Sequence, residues 1–577
     1  MKYFIKTIYL ITVVIIVLFP SAETLGKDTK FKYSQEDVSN YFSGIVSISQ
    51  NYTTAGFKYL NNVQSLKSIH SNFNIQFIRS LILLEKFEQA FVFAKSIWSE
   101  DELFFEVDLL LGLKSLIAKD YISAEKYLER LDKISQDDLF FDDLFFDDFF
   151  GNVLLSWVYA SKNNKKESFK FFNKIPERYS NLKNIQNSLL QCYFNTPKTE
   201  IAFEKIICGE KNGFSRYNFF LANYFVSKNE ITAAKIILKN SASMHNSNLL
   251  IKQANNFIAT GNSKKIKNFF NCQNPKHAIA EIFYIVANLY STQKNYQLSN
   301  FYLKISLFLN SQFIPNKTLL AENFFFLKKY EISKNIYSSL KSIGPVYSWY
   351  ASISIAMILS DTVGKEYSTS SLENEFNLLS NPNFENYYEI ANFFKDNGYY
   401  EKSIKYYSLT LENIGKEHYL VPKILDRRGT SYEKLGNWIE AEKDLEESLK
   451  ILPDQAQVLN YLAYSWVEKR INIDKALKML IRANELRKND GYIIDSLGWV
   501  HYVNKNYVDA EKFLQHAIEI LPLDPVINDH YADTLWMLNK NLQARYFWKY
   551  ILGLDNIEQQ FKDNINKKLI FGVPKKL

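Results

Sequence analysis

Cysteine is nearly missing from this chain, with three in 577 residues, at positions 192, 208 and 272. An odd number without a close pair gives neither a disulfide framework nor a zinc-binding spacing. Each reads as a small core residue, with a single Cys192–Cys208 bridge in an exported chain as the alternative. Glycine and proline are also sparse, 18 and 12, which disfavours an all-β fold with its many turns. After residue 19 no apolar run reaches the ~20 residues of a membrane span. An excess of one charge is lacking too. The formal net charge of +7 falls by two if a cleaved leader takes Lys2 and Lys6, and no basic stripe is dense enough for nucleic acid. There is no glycine-rich phosphate loop, serine elbow or paired-histidine metalloprotease helix. The seven histidines are scattered. No catalytic residue, metal ligand or cofactor is therefore assigned, and an enzyme is not expected.

What is present is a repeated apolar pattern, in a chain that is 47% hydrophobic and 16% aromatic. From Pro422 to Asp555 one unit recurs four times on a ~34-residue period, beginning at Pro422, Ala456, Gly491 and Pro525. Gly429, Ala463, Gly498 and Ala532 are small residues placed where two helices would cross. Ala441, Ala476, Ala510 and Ala544 answer them from the facing helix, and Tyr432 and Trp466 fill the space beside them. Pro453 and Pro522 cannot continue a helix and close their units. This pattern resembles the tetratricopeptide repeat. The resemblance implies an all-α fold of tandem helix-turn-helix units stacked into an α-solenoid superhelix, each unit packing on its neighbours.

Weaker copies occupy 37–70, 71–104, 105–138, 149–182, 183–216, 215–248, 280–313 and 314–347, so residues 37–347 read as degraded helical repeats. Residues 249–279 are helical but off-pattern. Residues 348–383 read as an irregular helical connection, with the main structural break at Ser368-Thr369-Ser370-Ser371 and Asn381-Pro382-Asn383. The clear array spans 384–558, and 559–577 reads as a capping helix with a frayed tail.

Residues 1–22 carry Lys2 and Lys6 ahead of the apolar run Ile8–Phe19, the pattern of an export signal. Pro20 stands where a cleavage site prefers a small residue, so an uncleaved inner-membrane anchor is the alternative, with 23–36 as a linker. No cysteine follows the run, and lipoprotein attachment is not expected. Membrane contact is expected only through residues 1–22. Asp137 to Phe146 repeats Asp-Asp-Leu-Phe-Phe, a five-residue step that fits neither helix nor strand. It lacks the glycine-turned loop of a calcium site and reads as an expansion between repeats.

In tetratricopeptide proteins the first helix of each unit lines the concave side. Carried onto this chain, the lining positions are Asn460, Tyr464 and Val467, then Asp495, Trp499 and Tyr502, then Asp529, Asp533 and Trp536. Amide and carboxylate acceptors beside a ladder of aromatics suit an extended peptide or a partner protein. Many members hold Lys and Arg there to grip a terminal carboxylate, and this chain holds Asn and Asp, so that clamp is not expected. The alternative places Trp499 and Trp536 between helices. His501 stands at the motif's usual aromatic position, and a one-residue rotation would turn Tyr502 inward.

Residues 456–550 resemble more specifically the long tetratricopeptide proteins of Gram-negative envelopes. The segments that carry this are Leu459–Tyr464, Asp495–Val500, and His530–Trp536 with Trp548. Some such proteins present substrates to C-terminal processing proteases. The implied function is an exported, periplasmic or envelope binding scaffold without catalysis, with a protease adaptor as its specific form. The alternatives are an assembly factor for outer-membrane proteins or envelope polymers, or an enzyme whose catalytic part lies in the amino-terminal half.

Overall fold

Helices alternate with tight turns along the whole described chain, and one backbone conformation marks each pair. The computed structural model describes residues 34–134, 148–208, 216–243 and 248–574. The leader, the Asp-Asp-Leu-Phe-Phe segment and the last three residues lie outside the described residues. The turn between the two helices of a pair needs one residue with positive φ. Glu85 and Lys119, Asn195 and Asn229, Lys294 and Lys328, Gly436 and Arg470, and Lys505 and Asn539 all adopt it. The members of each pair stand one ~34-residue repeat apart. The period therefore persists where side chains no longer advertise it. Among the described residues there is no strand, and no helix is long and apolar enough to cross a membrane.

The chain divides into two compact units, Met1–Ile336 and Tyr337–Leu577. In the second, hairpins follow one another from Pro345–Thr362 with Lys365–Asn377 to Pro525–Met537 with Asn541–Leu552, and the Gln559–Phe571 helix follows the last. Pro345 starts its helix at the first turn, where its missing N–H costs nothing. Residues 348–383, read from sequence as an irregular connection, fold as an ordinary hairpin. The serine-rich stretch sits inside its second helix, where the Ser368 hydroxyl donates to the Ala356 carbonyl at 2.6 Å. Small residues set the crossings: a Cβ added to Gly498 would lie 2.6 Å from Leu514 Cγ. Ala463, Ala476, Ala510, Ala532 and Ala544 are fully buried, and Trp466 fills its gap.

The first unit is built from the same hairpins but closes on itself. The Tyr296–Leu309 helix packs against Ser71–Leu83. Phe308 stacks on Phe87 at 4.1 Å, Lys304 pairs with Glu85, and the Gln297 amide donates to the Ile48 carbonyl. Pro275–Thr292 lies against Phe150–Ser161 and Ser180–Tyr193, so hairpins distant in sequence pack on one another. Several charges caught inside are paired. Arg79 binds Glu106. Arg130 binds Asp108 at 2.9 Å and donates to the carbonyls of Ser99, Glu100 and Glu102. Arg216 pairs with the fully buried Glu281, which also accepts from the Tyr217 hydroxyl. Cys192 pairs with Cys272 and Cys208 is free and exposed. Both the reading of each cysteine as a separate core residue and the alternative Cys192–Cys208 pairing are thus corrected. Folding brings the end of Ser180–Tyr193 against the turn before Pro275–Thr292, 80 residues apart in sequence, a proximity that short spacing cannot report.

Candidate functional site

Three first helices of the second unit, Ala456–Lys469, Gly491–Val503 and Pro525–Met537, place the sequence-derived residues. Their starts are well defined. Asp490 caps the second by accepting from the backbone N–H groups of Tyr492 and Ile493, and Asp524 does the same for the third. One turn inward, at i and i+4, stand the residues of interest.

Asn460 is half-buried, and its side-chain oxygen has no hydrogen-bond partner in the chain. Tyr464 is half-buried beside it, and burial raises its hydroxyl pKa. Val467 is buried. Asp495 is buried and accepts from His530 Nδ1 at 2.9 Å. Burial opposes protonation of His530, but the Asp495 carboxylate, with Asp529 and Asp533 near it, outweighs burial and raises the histidine pKa. Trp499 is half-buried. Its ring stacks on His530 at 3.9 Å and on Tyr502 at 4.5 Å, and its N–H donates to Glu468. Tyr502 is 3% exposed, and its hydroxyl has no partner.

The third helix is covered. Lys568, from the Gln559–Phe571 helix, donates to both oxygens of Asp529 at 2.8 Å and to Asp533 Oδ2 at 2.7 Å. Trp548 donates to Asp529 Oδ1 at 3.1 Å. Asp533 Oδ1 is buried without a partner, and burial and the neighbouring Asp529 push its carboxyl up to about 7. Trp536 is half-buried, 5.6 Å from Trp548, with the Arg545 guanidinium over its ring.

The structure thus gathers Asp495, Trp499, Tyr502, Asp529 and Asp533 around His530 and Lys568. Asn460 and Tyr464 lie at one side, and Trp536 faces Arg545 on the other. His530, Lys568 and Glu468 were absent from the sequence-derived set. One signal pointed to Lys568: two aspartates a turn apart, on a helix with no lysine or arginine, need a cation from elsewhere, and Lys567-Lys568 is near in sequence. The His530–Asp495 couple has the form of an oriented base, but among the described residues no serine or cysteine side chain is hydrogen-bonded to it. Among the described residues no cluster of three His, Cys, Asp or Glu side chains could hold a metal ion. What the face offers is hydrogen-bond acceptors and aromatic surface.

No family model matches the chain. A TPR repeat-containing protein of Pseudomonas aeruginosa is 31% identical to it over 99 residues, 17% of either chain. With the ~34-residue pattern and the hairpins that realise it, this supports a tetratricopeptide-repeat chain. It spans only 17% of the length of that curated relative. Among solved structures, a tetratricopeptide repeat protein from Parabacteroides merdae is 17% identical, with 38% of this chain and 85% of that one covered at a TM-score of 0.33. A thermophilic TPR protein of Thermus thermophilus is 15% identical, with 32% and 99% covered at a TM-score of 0.28. Tetratricopeptide arrays are in general scaffolds for protein–protein interaction.

Proposed function

We propose that the protein is an exported scaffold that holds an extended peptide, or a peptide-like segment of a partner protein, on the first-helix face of its second unit. The observation that carries this is Asn460. Its buried side-chain oxygen has no partner within the chain, beside the half-buried Tyr464 and Trp499. A peptide N–H supplies what that oxygen lacks, and the two rings take apolar side chains. Asp495, Tyr502, Asp529, Asp533 and Trp536 complete the face. Export is supported by the Lys2, Lys6 and Ile8–Phe19 pattern, and by a Cys192–Cys272 disulfide, a bond that persists in oxidising compartments. The finer reading, an adaptor that brings substrates to an envelope protease, rests on the resemblance of residues 456–550 to envelope tetratricopeptide proteins.

The test is affinity capture from envelope extract with the intact protein, repeated with Asn460→Ala and Trp499→Ala. Loss of the Asn460 hydrogen bond is expected to weaken recovery of the partner by ~0.5–1.5 kcal/mol, and loss of the Trp499 ring to weaken it as well, with the hydrogen-exchange pattern of residues 384–520 preserved. A protease among the captured proteins favours the adaptor. Recovery equal to the parent with both variants removes this face as the site.

A further inference from the structure

The Gln559–Phe571 helix is fastened differently from every helix of the hairpins it follows. Only Ile565 of its thirteen residues is buried, against nine in Pro525–Met537. Phe561 and Leu569 add partial cover, and Arg545 holds the Leu569 carbonyl at 3.1 Å. The connector 553–558 is largely exposed and contains Asn556 with positive φ. The principal polar fastening is the Lys568 ammonium between Asp529 and Asp533.

That ammonium does not satisfy the site. It has three N–H donors, and all three are spent on Asp529 Oδ1, Asp529 Oδ2 and Asp533 Oδ2. Two acceptors remain without a partner, Asp533 Oδ1 and the Tyr502 hydroxyl. Both residues are more than nine-tenths buried, and Tyr502 lies within electrostatic reach of both carboxylates. A guanidinium carries five N–H donors in a planar fork that fits carboxylates two bonds at a time. The site's acceptors outnumber the donors of the lysine that fills it and match those of an arginine.

We propose that the Asp529–Asp533 end of the face is a receptor for a cationic side chain, that Gln559–Phe571 is a strap filling it in cis, and that the partner segment presents an arginine which replaces Lys568. The proposal rests on the peptide-binding reading above and names the chemistry of the peptide. It also gives the binding face a resting state, closed at one end until a better donor arrives.

The experiment uses the full chain and synthetic peptides of residues 559–574. In Lys568→Gln, amide exchange across Gln559–Phe571 is expected to rise at least tenfold, with 384–520 unchanged. Should that variant loosen the whole unit, Lys568→Met, which keeps the apolar stem, takes its place. On the variant chain, fluorescence anisotropy is expected to rank the Lys568→Arg peptide above the parent peptide by about fivefold or more. The Lys568→Gln peptide is expected to bind at least tenfold more weakly than the parent peptide. Unchanged exchange in the strap, three peptides of equal affinity, no binding by the lysine peptide, or a lysine peptide tighter than the arginine peptide would each overturn the proposal. The capture with Asn460→Ala concerns a residue outside the strap contact, so failure there and failure here are separately visible.

Discussion

In the first unit the faces left over by stacked hairpins are covered by other hairpins of the same unit; in the second, between Asn460 and Trp499, they stay partly open. The repeats of the first unit keep small residues at crossings such as Gly44, Gly56 and Gly112 and carry the ion pairs Arg79–Glu106, Arg130–Asp108 and Arg216–Glu281 in the interior. Those of the second keep small residues too and leave acceptors and aromatic rings at the face. A solenoid unit needs only its neighbours to be stable. Where it also gains contacts across the concave side, that side is no longer available to a ligand.

The sharpest way to break the comparison is Glu281→Ala. It strands Arg216 among Tyr217, Phe220, Tyr284 and Phe313. Breaking a buried pair from one side costs ~3–5 kcal/mol. Urea unfolding followed by hydrogen exchange should show the loss in the first unit, with 384–552 still protected; loss in both together would refute their independence. Next in size is Cys192→Ser. Removing a native disulfide typically costs ~2–4 kcal/mol, and the midpoint of the first unit alone should fall. Gly498→Leu tests the second unit at ~1–3 kcal/mol, because its side chain meets Leu514 at the helix crossing. Its effect should be confined to the carboxy-terminal hairpins, and exchange that rises evenly along the chain would contradict nearest-neighbour packing.

The smallest effect is a pH dependence local to the last hairpin. Asp533 has its pKa raised from 3.8 to about 7, so the folded unit holds more protons than the unfolded chain between those values. His530, facing Asp495 and near Asp529 and Asp533, is raised above 6.5 and acts in the same direction. Both contributions are fully present on the acid side and are lost as pH rises through the folded values. Protection of Pro525–Met537 and Gln559–Phe571 is therefore expected to be greater near pH 5 than near pH 8.5. Protection that does not change across this range would mean that neither group takes up extra protons in the folded unit.

The fold was legible because small residues at helix crossings are a local requirement: Gly498 and Ala510 must be small whatever else the chain does. The positions on the first helices were legible for the same reason, since they follow from the period. What those residues touch was not. Asp529 and Asp533 meet a lysine from a helix that lies outside the period, and Asp495 meets a histidine one unit on. Closure of the first unit left no trace at all, because Glu85 and Lys304 are 219 residues apart and a repeat reports only its neighbours. The same distance hides the pairing of Cys192 with Cys272.

That closure sets a timetable. An open stack of hairpins can be completed pair by pair as the chain is made, each new pair settling on the last. The first unit cannot, because the surfaces of Ser71–Leu83 and Phe87 wait for Tyr296–Leu309, more than two hundred residues downstream. Joining segments so far apart carries a loop-closure penalty and slows folding. Until then the early helices expose Phe87 and its neighbours to any passing apolar surface. The amino-terminal half of this protein is thus the part synthesised first and finished late, and the part most in need of a chaperone.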